Sequence, residues 1–201
     1  MDNTNFYFGV PIYSNFSDNE KQNKIQKEIS TVFNKLLKNN NFKSNFDYYG
    51  HLISDLKFKE NIIEKYKLLN FSNCVKEHIE QFLQKIKFTT KNYLNYKITS
   101  SWLTLTKKGM YARAHTHGNA DISGVYYFKT NQNDGKIFFN NPNQMISNSM
   151  CFNHIDQSIY FQPVIGKFIL FPSWLQHGVQ TNTTDNDRVS LSFNIHFDNK
   201  Y

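Results

Sequence analysis

The chain has 201 residues, a net charge of +7, 39% hydrophobic and 16% aromatic residues, enough apolar material for one domain (1–201) with a full core. The positive charge does not mark a nucleic-acid binder, because the lysines are spread along the chain in scattered pairs such as Lys107-Lys108 and no arginine-rich block occurs. Cys74 and Cys151 have neither metal-site spacing nor the look of a disulfide framework, which points to a reducing, cytoplasmic setting.

The N-terminus, MDNTNFYFGVPIYSNF, lacks the basic segment and apolar core of a signal peptide. No apolar run approaches membrane-spanning length. Phe6–Tyr13 reads as a short strand, with Pro11 favouring an edge or a strand end. From Asp18 the period becomes helical: Ile25, Ile29, Val32, Phe33, Leu36 and Leu37 share a stripe, and Ser17 with Glu20 resembles a capping box. A second helical stretch spans Glu60–Leu69 and a third Asn73–Ile86, with a weaker extension through Lys91–Tyr96. These stripes are read as core packing.

After Tyr96 the period switches to two. KITSSWLTLTKKG alternates and stops at Gly109, and ISGVYYFKT is β-branched and aromatic. Asp134-Gly135, within NQNDG, suits a hairpin turn into KIFFNNP. The polar Asn140–Asp156 segment is a long loop, and QSIYFQPVIG, KFILFPSW and RVSLSFNIHF complete a run of short strands. The pattern predicts an α+β, mainly β fold: helical support over 1–95 packed on one sheet of a sandwich or barrel over 96–201.

Residues i and i+2 of a strand face one side, so His115 and His117 point together, and imidazole suits Fe, Zn, Cu and Ni. Two ligands need a third from elsewhere, and His177, after the apolar strand GKFILFPSW, is the best placed. Arg188 and Ser190 share a face of the last strand. An inward arginine is costly without an anion, and guanidinium plus hydroxyl form a carboxylate anchor. Trp102, Trp174 and Arg113 are candidates for the pocket wall, and Asn119 and Asn194 for orienting the histidines; His154, in the long loop, is not expected to ligate, and His196 shares the parity of Ser190 and Asn194 but lies far along toward the terminus.

Tyr96 to Phe197 resembles the iron(II)/2-oxoglutarate-dependent oxygenases, in the prolyl-hydroxylase-like branch with its little-characterised phage and bacterial members. The stretches that carry it are SWLTLTKKGMYARAHTHGNADISGVYYF, GKIFFNNP and GKFILFPSWLQHGVQTNTTDNDRVSLSFN. The resemblance implies a double-stranded β-helix, or jelly roll, with Fe(II) and 2-oxoglutarate as cofactors. His115 becomes the first ligand and His177 the distal one. Arg188, Ser190 and Tyr127 hold the far carboxylate of 2-oxoglutarate. The implied reaction hydroxylates an unidentified substrate, a small molecule or a protein side chain, while 2-oxoglutarate is decarboxylated to succinate.

The departure is at position 117, where the family motif carries Asp or Glu. His117 itself completes a three-histidine site, or Asp121 supplies the carboxylate, or two histidines suffice as in halogenating relatives; the shared face favours His117. A three-histidine dioxygenase that does not use 2-oxoglutarate, and a non-catalytic jelly-roll binding protein, are the competing functions.

Overall fold

The computed structural model of the chain describes residues 9–44, 50–55, 57, 59–87, 95–143, 145, 150 and 156–198. The period-two segments pair into two antiparallel sheets. The larger holds β1 (Tyr13–Phe16), β2 (Lys43–Ser44), β3 (Leu52–Ile53), β4 (Asn95–Thr106), β6 (Ile122–Lys129), β9 (Lys167–Pro172) and β11 (Arg188–Asp198), in the order β1-β9-β6-β11-β4-β3-β2. The smaller holds β5 (Ala112–His115), β7 (Ile137–Asn140), β8 (Ser158–Phe161) and β10 (His177–Val179), in the order β5-β10-β7-β8. From β4 onward the chain changes sheet at every connection between named strands except β7 to β8. That is the winding of a jelly roll.

This winding corrects one expectation. Asp134-Gly135 does not close a hairpin between its flanking strands, because β6 pairs with β9 and β11 while β7 pairs with β8 and β10. The turn chemistry is present, with Gly135 at φ 96°. It carries the chain from one sheet to the other instead.

Among the described residues three helices lie on the outer face of the larger sheet: α1 (Asn19–Lys38), α2 (Ile62–Lys65) and α3 (Leu69–Lys85). Ile25, Ile29, Val32 and Leu36 of α1 and Phe71, Val75, Ile79 and Phe82 of α3 form one core with Leu103, Tyr126, Phe168, Leu170, Leu191 and Phe193 of the sheet. A smaller cluster (Val125, Tyr127, Ile137, Phe139, Ile169, Phe171 and Leu175) fills the space between the sheets. Among the described residues no helix is long and apolar enough to cross a membrane.

Several boundaries differ from expectation. The first strand begins at Tyr13, where it was expected to end; residues 6–8 lie outside the described residues, and Pro11 has no N–H for a ladder. Asp18, not Ser17, caps α1, its side chain accepting from the Lys21 N–H at 2.9 Å. Ser17 instead contacts Cys74 Sγ and His78 Nε2. The Glu60–Leu69 stretch is a single turn, α2, ended at Lys67 with φ 53°. Residue Leu68 gives α3 no side-chain cap, and Glu28 of α1 does this across space, accepting from the Asn70 and Phe71 N–H groups at 2.9 and 3.0 Å. Of the expected extension over Lys91–Tyr96, residues 91–94 lie outside the described residues, and Tyr96 is in β4. Most of the Asn140–Asp156 loop also lies outside them.

Phe71 is fully buried, its ring centroid 5.5 Å from Tyr126, 5.7 Å from Phe168 and 5.9 Å from Phe193. Phe71→Ala removes the main contact between α3 and the sheet, and we expect a loss of about 3–5 kcal/mol. Urea unfolding monitored by circular dichroism measures it; a loss under about 1 kcal/mol would mean that the helix layer does not dock through this ring.

Candidate metal centre

His115 closes β5 and lies opposite His177, which opens β10. His117 is not on the same strand as His115, as expected from the spacing. The strand ends at His115, and the His117 N–H donates to the Ser173 carbonyl at 2.8 Å, which turns the chain toward the larger sheet. The two side chains nevertheless converge. Ring centroids are 5.1 Å apart for His115–His117, 4.4 Å for His115–His177 and 5.0 Å for His117–His177. One nitrogen from each ring lies within 4.8 Å of the others.

The other nitrogen of each ring is engaged. His115 Nδ1 lies 2.7 Å from the Arg113 carbonyl and His177 Nδ1 2.9 Å from the Leu175 carbonyl. A carbonyl only accepts, so Nδ1 carries the proton and Nε2 keeps its lone pair. His117 Nδ1 lies 2.7 Å from Asn194 Oδ1, while Asn194 Nδ2 donates to Ser100 Oγ at 3.1 Å. Ser123 Oγ donates to the same Oδ1 at 2.9 Å. The arrangement presents three neutral imidazoles with converging lone pairs, the donor set that suits a borderline transition metal.

Asp121 is not brought to this group. Its carboxylate accepts from the Phe197 N–H at 2.8 Å and lies 3.0 Å from His196 Nδ1, about half exposed. His196 is therefore placed beside Asp121, and His154 lies outside the described residues.

The histidines open into a cavity of about 1080 Å³ whose lining includes Tyr127, Arg188 and Ser190. Ser190 lies between Thr104 of β4 and Tyr127 of β6 in the sheet register. Arg188 is 2% exposed, and its guanidinium donates to the carbonyls of Asp134 and Gly135 at 3.0 and 2.7 Å and to Thr106 Oγ1 at 3.0 Å. Gly135 has no Cβ to stand against Arg188 Nη1, so the turn between β6 and β7 serves as the cradle of the arginine. Three of five guanidinium N–H groups are used in these bonds, and no carboxylate pairs with Arg188 among the described residues. Burial pushes the Tyr127 phenol up to about 12, with Arg188 pulling the other way, so it stays a neutral donor.

Trp102 lines the cavity with its ring 5.8 Å from that of His117. Trp174 does not line it and is 58% exposed. Arg113 and Asn119 stand on the wall. Sequence reasoning gave no role to His51, which also lines the cavity and is held down to about 3 by burial, with Arg188 and His115 adding to the effect. Nor did it single out Thr104, Thr106, Ser123 or Ser173. The alternation of β4, extended from Trp102, puts Ser100 and Thr104 on the cavity face; His51 has no such signal, since β3 is two residues long.

Burial lowers all three histidines, His117 to about 4 and His177 well below its ordinary value. An unfolded histidine titrates near 6.5. Between about 6.5 and 4 the unfolded chain therefore binds more protons than the folded one, and stability falls as the pH falls through that window. In the metal-free protein the urea midpoint should drop from pH 7 to pH 4. His117→Gln should make the drop shallower, with His78, lowered to about 4, still contributing. An unaltered pH profile in His117→Gln would contradict a buried neutral imidazole at this position.

The comparisons with known proteins agree with this fold. A family model described as "Putative 2OG-Fe(II) oxygenase" matches residues 100–194. No curated protein matches the sequence. Among solved structures, a prolyl hydroxylase from Trichoplax adhaerens in complex with a hypoxia inducible factor peptide fragment aligns with a TM-score of 0.61 at 13% identity, over 94% of this chain and 83% of that one. A Pseudomonas putida prolyl-4-hydroxylase aligns with a TM-score of 0.61 at 12% identity, over 93% and 92%. HygX from Streptomyces hygroscopicus, with nickel, 2-oxoglutarate and hygromycin B bound, aligns with a TM-score of 0.58 at 8% identity, over 93% and 83%. At such identities the structural likeness establishes the jelly roll alone. The segment 100–194 that resembles this family model is just under half of the chain, and it carries all three clustered histidines and the buried arginine.

Proposed function

We propose that the chain is a dioxygenase that uses Fe(II) and 2-oxoglutarate, with His115, His117 and His177 as metal ligands and Arg188, Tyr127 and Ser190 holding the far carboxylate of 2-oxoglutarate. One observation carries the reading. Three imidazoles with proton-bearing Nδ1 atoms converge through Nε2 in a cavity that also holds a buried arginine with no carboxylate partner among the described residues. Each half matches one cofactor, and the family match brings the two together.

When bound, the metal and 2-oxoglutarate supply the oxidising chemistry: O2 and 2-oxoglutarate become succinate and CO2 while a substrate C–H becomes C–OH. The protein's part is to hold and orient. Arg113 O, Asn194 Oδ1 and Leu175 O fix the three ring planes and keep the Nε2 lone pairs available. Arg188 offers its two remaining N–H groups to a carboxylate, and the Tyr127 and Ser190 hydroxyls stand beside it on neighbouring strands. Phe171, Val125 and Ile137 keep water from the inner wall. A triad without a carboxylate contributes no negative charge, so its Fe(II) affinity is lower than that of a His-x-Asp/Glu site.

The same proposal treats residues 1–201 as one working unit in the cytoplasm, supported by the core shared between helices and sheet and by the free Cys74. The substrate is unidentified; the relatives named above hold a peptide fragment in one case and hygromycin B in another.

Under anaerobic conditions Mn(II) should raise the melting temperature and 2-oxoglutarate should raise it further. With Fe(II) and O2, slow succinate formation should appear without added substrate. Arg188→Ala should keep the metal shift and lose the 2-oxoglutarate shift. The gentler Tyr127→Phe should weaken 2-oxoglutarate binding about tenfold while folding normally. The all-histidine donor set favours a second reading, a metal dioxygenase that does not use 2-oxoglutarate. A metal shift in the wild type with no response to 2-oxoglutarate would select it, and no response to either would select a binding protein.

A further inference from the structure

The charge on the cavity wall is one-sided. Lys57, Lys59, Arg113 and Arg188 line it, and among the described residues no aspartate or glutamate does. Arg188 is buried at the inner wall, whereas Lys57, Lys59 and Arg113 are exposed at the mouth. The acids nearest the lysines in sequence are turned to other work: the Asp55 carboxylate accepts from the Lys57 and Glu60 N–H groups at 3.0 and 2.7 Å, and Glu60 pairs with Lys65 at 2.8 Å. Neither Lys57 nor Lys59 makes an ion pair among the described residues. The three clustered histidines add no negative charge, and a bound divalent cation would leave the cavity more positive still. A low-dielectric cleft of one sign concentrates ligands of the other.

We propose that the substrate of this site is a small anionic molecule, a carboxylate or phosphate ester, whose charged group is held at the mouth by Lys57, Lys59 and Arg113 and whose body lies against Trp102. This inference rests on the dioxygenase reading for where the substrate's reacting carbon points, but not for the binding itself. The cavity of about 1080 Å³ matches the volume of small-molecule sites, on the order of 300–1000 Å³, with room for a cofactor and a compact substrate together. Trp102, 6% exposed, forms an aromatic side of the cavity, and Ser100, Thr99 and Asn119 supply neutral polar contacts. Among the described residues nothing acidic on the wall would receive a cationic substrate.

The chain has two tryptophans, so Trp174→Phe leaves Trp102 as a single fluorescent reporter inside the cavity. In that background, loaded anaerobically with Mn(II) and saturating 2-oxoglutarate, we would titrate phenyl phosphate, benzoate and benzyltrimethylammonium, which share a ring and differ in charge. Saturable quenching by at least one anion and none by the cation is expected, and which anion binds names the class. The double variant Lys57→Ala/Lys59→Ala should weaken that binding about tenfold, and raised salt should weaken it in the wild-type chain. Equal binding of the cation, no saturable response to either anion, or indifference to the double variant would each overturn the proposal. The 2-oxoglutarate thermal shift, read on the same samples, tests the cofactor reading separately. If that shift is absent, the titration with Mn(II) alone still reports on the lysines.

Discussion

Strand β11 has two environments on one backbone, and the molecule is organised around that fact. Val189, Leu191, Phe193 and Ile195 face the helices and close the large core. Arg188, Ser190, Ser192 and Asn194 face the cavity. Side chains on a strand alternate with a period of two, so neither set can shift without the other. A slip of one residue would drive Arg188 into the apolar layer and leave Phe193 in the cavity. The dense packing around Phe71, Phe168 and Phe193 therefore also fixes the register of the polar groups. The hydrophobic core and the candidate site are two faces of a single constraint.

The cavity face of β11 then reaches the histidines through hydrogen bonds. Asn194 sets the ring of His117, and the carbonyls of Arg113 and Leu175 set those of His115 and His177. Burial keeps all three imidazoles neutral. At the other end of the same face, Arg188 is held by two backbone carbonyls and a threonine hydroxyl rather than by a carboxylate. No carboxylate stands within ion-pair distance of it among the described residues, although the buried Asp134 offsets part of its charge from farther off, and that leaves room for an anion there.

Much of this was legible in the sequence. Arg188 and Ser190 were readable as a pair because β11 alternates without interruption and has a partner strand on each side. His177 was readable because an apolar strand precedes it. The convergence of His115 and His117 followed from spacing for a partly incorrect reason, since the strand stops between them and a loop contact with Ser173 completes the approach. The hairpin expected at Asp134-Gly135 failed because a turn signal states that the chain reverses, not which strand receives it. His51 and the capping of α3 by Glu28 left no local pattern at all, as each depends on a residue distant in sequence.

The sequence by itself determined the switch from helical to strand period, the alternation that separates core from cavity, and the residue types able to bind metal and carboxylate, because these depend on neighbours only a few positions apart. Tertiary structure decided which nitrogens converge, which carbonyls hold their partners, that Asp121 turns away to His196 and the Phe197 N–H, and that the cavity wall is cationic. Those outcomes depend on the crossing of the chain between two sheets. Segments far apart in sequence meet there, and no local period records the meeting.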